Sequence, residues 1–297
     1  MFNRPLLYHY PYSLSSGIAR LALVEKGVRW RSRFVDIGRR HENYAPWYVR
    51  LNARAVVPSL EHRGVVITDA INIALYINNH FPGPELFPAR QQERELMEEL
   101  VTLQQQYPET ELSYCVLDEK KRRRALRDFD ARRKVLTELA KKHEALEATY
   151  ASKFDEIDRL SSRMEDPDYK QEIVNRLHRI LDVLDQAASR DVFLCGPEYS
   201  LADVVWTAFL ARMEYLGLGK MWQDGRRPNL DTYYTNMKAR KSFKKAQLST
   251  SKSRRFSLML FVHNHRILTA ILVALAVAGL AAALIASGLL SGPPAAA

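Results

Sequence analysis

Over the first eighty residues the spacing of apolar positions changes period several times. Residues 6–10, "LLYHY", form a short apolar and aromatic run of the kind a strand uses. Residues 15–26 follow with Ile18, Leu21, Ala22 and Val24 on or near one helical face. Residues 30–35 read as a second strand and 44–51 as a short helix. Two short strands, 59–61 and 65–68, flank Arg63-Gly64, a hairpin turn signal. Residues 69–81 then place Ile73, Ile77 and Phe81 at intervals of four, so a helix is predicted there. The predicted order is β-α-β-α-β-β-α.

From residue 89 to about 244 the pattern is mostly helical. "YSLADVVWTAFL" predicts a helix start, with Ser200 as N-cap, Asp203 reaching back to it and Tyr199 as a staple. Asp203 is expected to act in folding rather than in chemistry, and Cys195 just upstream to be a small buried residue. Residues 112–166 are too charged for core, yet Leu126, Phe129, Leu136, Leu139, Leu146 and Tyr150 keep helical spacing. The expectation is a solvated helical hairpin or long charged helix projecting from the bundle. The alternative is a docking surface for an acidic partner or membrane headgroups.

Residues 267–290 are 24 consecutive residues without a charge. At ~1.5 Å per residue, such a helix spans a ~30 Å hydrocarbon core with some tilt. A single-pass tail anchor is predicted, with a basic linker at 249–266 and the bulk of the chain on the cytosolic side. Small residues repeat at fours through Ala270, Ala274, Ala278, Ala282 and Ala286, with Gly279, Ala283 and Ser287 alongside. Such columns let two helices approach closely, so a homodimer is expected.

Composition adjusts this picture in three places. The 297 residues suffice for two ordinary domains, and 47% hydrophobic content excludes wholesale disorder. Two cysteines, far apart, exclude a disulfide framework and show no metal-ligand spacing, so no metal site is expected. The formal charge of +10 is concentrated. Residues 118–144 hold 11 Lys/Arg against 6 Asp/Glu, and 237–255 hold 8 Lys/Arg and no acid. The second cluster lies just before the apolar run, where anionic headgroups account for it without nucleic acid.

The candidate chemistry begins at Tyr12-Ser13-Leu14-Ser15-Ser16, a hydroxyl-rich turn leading straight into a helix. N–H groups at a helix start lack intrahelical partners and stabilise an anion, thiolate included. Pro58 in "AVVPSL" immediately precedes a strand, a place for a cis peptide bond. Such a bond turns the N–H and C=O of Val57 toward the first helix start. The order of elements is that of a thioredoxin-like domain, in which those groups pair with an extended peptide such as glutathione.

Residues 6–81 resemble the N-terminal domain of cytosolic-type glutathione transferases. Alignment on "GIARLAL" puts the thiolate-holding serine of the serine-type classes on Ser13, and cysteine-containing bacterial classes place their Cys where Ser15 stands. Tyr8 and Tyr12 fall off the tyrosine-mechanism position. The resemblance also implies that Val57 and Pro58 bind the glutathione backbone. The family's Glu/Gln-Ser pair for the γ-glutamyl end is replaced by Asp69-Ala70. Asp69 still faces the ammonium, but Ala70 lacks the hydroxyl that binds the carboxylate. Val56 likewise replaces a polar residue that often precedes Val-Pro.

"HYPYSLSSGIARLALVEKG", "PWYVRLNARAVVPSL", "LCGPEYSLADV" and "RRPNLDTYYTNMKARKSFKK" together are similar to the ganglioside-induced differentiation-associated protein family, membrane-anchored glutathione transferase-like proteins. The implied fold is an α/β thioredoxin-like glutathione-binding domain (1–84) and an all-α C-terminal domain (89–248). The charged insertion falls within the second, and the anchor follows. The expected activity is conjugation of glutathione, as co-substrate, to an apolar electrophile delivered from the lipid bilayer. The alternative is a non-catalytic scaffold acting in membrane organisation or redox sensing. Basic residues beyond the span, a mitochondrial feature of animal members, are missing from "SGPPAAA". A bacterial inner membrane and a mitochondrial outer membrane both remain open.

Overall fold

The computed structural model describes residues 4–248 and 266–286. It divides into two units, Met1–Thr250 and Ser251–Ala297, and each is described by itself.

The first unit begins with strand β1 (Leu6–His9), helix α1 (Leu14–Glu25) and strand β2 (Arg31–Phe34). A 3-10 turn (Glu42–Tyr44) and helix α2 (Pro46–Leu51) lead to strands β3 (Ser59–His62) and β4 (Val65–Thr68) and helix α3 (Ala70–His80). The sheet order is β2-β1-β3-β4, with β1 and β2 parallel and the other pairs antiparallel. Strand alternation divides the side chains between the two faces. Leu7 and Leu60 turn toward α1 and α3, meeting Ile18, Leu21, Ile73 and Ile77 in the main core. Tyr8 turns the other way and packs with Val35, Tyr48 and Val57. The predicted order of elements holds, with ends differing by a residue or two where strands fray.

The helical part runs through α4 (Gln91–Gln105), α5 (Glu109–Cys115), α6 (Glu119–Lys142), α7 (Glu147–Glu165), α8 (Pro167–Ala188) and α9 (Leu201–Tyr215), followed by α10 (Lys220–Gln223), α11 (Pro228–Ala239) and α12 (Lys241–Lys245). Helix α9 is buried almost all round, and its residues share one core with α1. Its capping box forms as predicted: Asp203 Oδ2 accepts from the Ser200 N–H at 2.8 Å. Asp203 Oδ1 also accepts from Leu194 N and the Tyr233 hydroxyl. Cys195 is buried.

The charged insertion forms the expected helical hairpin but packs on the sheet domain instead of standing free of it. Helices α6 and α7 lie antiparallel to one another and bury Phe129, Leu136, Tyr150 and Ile157 in a cluster with Tyr44, Val49 and Ala55 of the sheet domain. The apolar stripe read from the sequence is therefore a packing face. Most of its charges sit on the solvent side, where Arg133 bridges to Asp158 at 2.8 Å across the two helices.

In the second unit a helix covers Arg266–Ala286. Side chains are described only within 273–284, and Val273, Leu275, Val277 and Leu280 are more than half exposed. Among the described residues no helix is long and apolar enough to cross a membrane. The crossing expected at 267–290 is thus not shown. The 249–265 part of the linker and Ser287 lie outside the described residues, as do the side chains of Ala270, Ala282 and Ala286 in the small-residue columns.

Candidate active site

The serine turn closes the gap between β1 and α1. Ser13 is the N-cap of α1, in extended conformation, and its Oγ accepts from Ser16 N at 3.2 Å. Ser16 is buried and its Oγ accepts from Tyr10 N at 3.2 Å, tying the turn back to the strand. Accepting one N–H leaves the Ser13 O–H free to donate. The N–H groups of Leu14 and Ser15 have no partner among the described residues, and both residues line a cleft of about 1330 Å³. Ser15 is exposed at its edge. Tyr8, by contrast, is turned away and donates its hydroxyl to Glu61 at 2.8 Å.

The other predicted residues reach the same cleft. The Val57-Pro58 peptide is cis. The Val57 N–H and C=O have no partner among the described residues, whereas the preceding Val56 carbonyl accepts from Tyr48 Oη and Asn52 Nδ2. That clamp fixes the loop while leaving Val57 open. Asp69 caps α3 with φ of 75°, a left-handed conformation costly for a residue with a Cβ. Its Oδ1 accepts from Ile71 N at 2.9 Å and Asn72 N at 3.3 Å. Two N–H groups at the start of α3 are therefore filled from within the chain. Ala70 stands beside them without a hydroxyl. Ser13, Ser15, Val57, Pro58, Asp69 and Ala70 all line this one cleft.

Sequence reasoning missed the opposite wall. Tyr12 stacks on Tyr215 of α9 with ring centroids 5.6 Å apart, and Tyr10 meets Tyr12 edge-on at 5.9 Å. Burial, with Asp36 nearby, pushes the Tyr10 phenol up to about 12, so it stays protonated near neutral pH. Arg54 places Nη1 3.8 Å from Asp69 Oδ2, adding a cation at the end where the Ala70 hydroxyl is missing. Tyr114 of α5 and Arg132 of α6 come from the insertion. Arg54 adjoins "AVVPSL" and could have been suspected. The insertion residues carried no local signal, because only tertiary packing brings them here.

The comparisons agree with this geometry. Residues 12–80 match the glutathione S-transferase N-terminal domain and residues 167–236 the C-terminal domain. A tetrachloro-p-hydroquinone reductive dehalogenase of Sphingobium chlorophenolicum is 35% identical over 242 residues, 82% of this chain and 95% of that one. The human ganglioside-induced differentiation-associated protein 1-like 1 is 28% identical over 274 residues, 81% of this chain and 72% of that one. Among solved structures, the β-etherase LigF of a Sphingobium strain superposes with a TM-score of 0.65 at 22% identity, covering 82% of this chain and 98% of that one. The chain belongs to the glutathione S-transferase superfamily, enzymes whose co-substrate is glutathione.

Proposed function

We propose that this chain conjugates glutathione to activated aromatic electrophiles. The observation that carries the reading is the single cleft joining the Ser13 turn, the unpaired Val57 backbone and the ring wall of Tyr10, Tyr12 and Tyr215. Glutathione pairs with Val57 and sets its sulfur at the start of α1. There the Ser13 hydroxyl and the N–H groups of Leu14 and Ser15 stabilise the thiolate and lower its pKa. On an aryl halide the thiolate forms a carbon–sulfur bond, the carbon–halogen bond breaks, and halide leaves with the bonding pair. The name of the Sphingobium relative supports a halogenated aromatic substrate. Cys115 and Cys195 are buried and neither lines the cleft, so the thioether is the product of this step.

Membrane anchorage belongs to the same reading. The uncharged run 267–290 and the exposed Val273, Leu275, Val277 and Leu280 support an anchor in a bilayer, the phase in which an apolar electrophile collects. The bulk of the chain then faces the cytosol, and the small-residue columns support a homodimer. Resistance of the full chain to carbonate extraction from membranes tests the anchor. Release into the supernatant would remove it.

One observation favours a second reading, a non-catalytic scaffold. Asp69 fills the Ile71 and Asn72 N–H groups, and Ala70 offers no hydroxyl, which weakens the hold on the γ-glutamyl carboxylate. One lost charge-assisted hydrogen bond costs about 1.5–3 kcal/mol, roughly 10- to 100-fold in affinity. Calorimetry with glutathione separates the two. Binding at millimolar affinity or better, with halide released from chlorodinitrobenzene, supports the enzyme. Ser13→Ala should then retain binding but lose the lowered thiol pKa. No binding would leave the scaffold.

A further inference from the structure

Behind the serine turn lies a buried cation that no carboxylate neutralises. Arg20 belongs to α1, and its side chain is buried. Its Nε donates to the Ala246 carbonyl at 2.8 Å and its Nη2 to the Pro11 carbonyl at 3.1 Å. Nη1 donates to the Tyr10 carbonyl and to His9 Nδ1, each at 3.3 Å. A guanidinium only donates, so His9 Nδ1 accepts and that ring carries its hydrogen on Nε2. Burial keeps the ring neutral, with its pKa lowered to about 3. Every acceptor of the guanidinium is therefore neutral. Burial lowers the Arg20 pKa to about 10, which leaves it charged at neutral pH.

The elements packed around it add no counter-ion, and Arg20 forms no ion pair among the described residues. Helix α9 meets this part of α1 through Ala208, the segment after α12 through Ala246 and Leu248, and α3 shares its apolar core through Ile73 and Ile77. On the sheet side, one carboxylate oxygen of Asp36 accepts from Gly38 N and Arg39 N. Glu25, at the other end of α1, pairs with Arg240. The six cations on the cleft wall differ in this respect: each, Arg54, Arg132 and Arg212 among them, is paired with a carboxylate.

The bonds of Arg20 also hold the backbone of the thiolate cradle. The Tyr10 carbonyl accepts from Ser13 N as well as from Arg20 Nη1, both at 3.3 Å. One oxygen thus joins the guanidinium to the N-cap residue, and the two nitrogens lie within about 7 Å of each other. A buried charge without a counter-ion is costly, and an apolar side chain would fill the same space at less cost. An anion arriving across the turn offsets that cost. Away from water the field of a fixed charge is weakly screened and reaches such an anion.

We propose that Arg20 is a positioning residue for the thiolate, holding the Tyr10-Pro11 backbone behind Ser13 and setting an uncompensated positive charge where the sulfur ionises. The inference rests on the conjugation reading, which puts that sulfur at the start of α1. It supplies a full charge, which the neutral Ser13 hydroxyl does not. It also ties the cradle to Ala246, so the segment after α12 takes part in the site although it does not line the cleft.

The test is a thiolate absorbance titration of glutathione bound to the full chain in detergent micelles. Arg20→Met fills the space without the charge and should raise the bound thiol pKa by about one unit, roughly tenfold less thiolate at neutral pH. Affinity for S-methylglutathione, which has no sulfur to ionise, should stay near that of the native chain. Arg20→Lys restores the charge without the planar fork and should recover about half of the shift or more. A folded Arg20→Met with the native thiol pKa would overturn the role and leave the conjugation reading standing. So would a folded Arg20→Lys no nearer the native value than Arg20→Met. Should Arg20→Met unfold, nitrogen NMR of the native chain decides. The Arg20 guanidinium signals should then shift as bound glutathione ionises and hold still with S-methylglutathione, and signals indifferent to ionisation would overturn the role. A native chain that binds no glutathione would remove the conjugation reading and this inference with it.

Discussion

Tyr150 in the middle of the charged insertion donates its hydroxyl to the backbone carbonyl of Tyr44 in the sheet domain, 3.1 Å away and 106 residues distant in sequence. Tyr150 is fully buried, so the bond has no water to replace it. It fixes α7 against the turn that carries Tyr44 into the cleft. Tyr150→Phe keeps the ring packing and leaves the carbonyl unsatisfied, at a cost of about 1–3 kcal/mol. Thermal unfolding should show a lower midpoint. An unchanged midpoint would mean that the insertion is held by its apolar contacts alone.

That bond marks the limit of what the chain discloses locally. The sheet domain was legible because its order depends on period changes, a Gly turn and a helix cap, all local signals. Ser13, Val57 and Asp69 were legible for the same reason, since each sits at a turn or helix start. The insertion's helical hairpin was legible from its six-position apolar stripe, whereas its packing on the sheet domain was not, because its charge suggested solvent. Charge density records only the outer side of a helix. Arg132 and Tyr114 stayed hidden because each belongs to an ordinary helical pattern, and only the long-range packing of Phe129 and Tyr150 aims them at the cleft.

Gly83 sets the approach of the loop after α3 to the end of α1. Its φ is 136°, a region disfavoured by side chains, and a Cβ there would collide with the Lys26 carbonyl oxygen. Lys26 is buried and reaches the same loop through Gly83 O and Glu85 Oε1, and α3 itself through Asn78 Oδ1. Gly83→Ala should therefore destabilise by about 3 kcal/mol or more, combining backbone strain with loss of this fastening. Chemical denaturation measures it, and a cost below about 1 kcal/mol would show that the loop adjusts.

Asp203 is completely buried and accepts from Ser200 N, Ser200 Oγ, Leu194 N and Tyr233 Oη. Removing it strands donors in the core, so Asp203→Ala should cost at least about 3 kcal/mol. The variant should fail by unfolding, not by a changed thiol pKa in whatever fraction folds. Circular dichroism melting alongside a thiolate absorbance titration separates the two effects. Normal stability would mean that water takes over the carboxylate's bonds.

His9 gives the fold a pH dependence with a definite sign. It lies buried beside Arg20, whose Nη1 is 3.3 Å from its Nδ1, and its Nε2 has no partner among the described residues. Burial, then the Arg20 charge, lowers its pKa from 6.5 to about 3. The unfolded chain therefore binds this proton first as pH falls, and the stability present above 6.5 is lost progressively toward pH 3. The loss approaches about 1.4 kcal/mol for each pH unit well inside that window. Carboxylates titrate mainly in the lower half of the window, and burial also lowers His41 and His178, so between pH 6.5 and about 5 only the difference from a variant at position 9 isolates this histidine. His9→Asn offers Arg20 an amide oxygen and carries no titrating group. Its stability curve should be flatter than that of the native chain across the interval. Parallel curves would show that His9 is protonated in the folded state and that Arg20 moves to accommodate it.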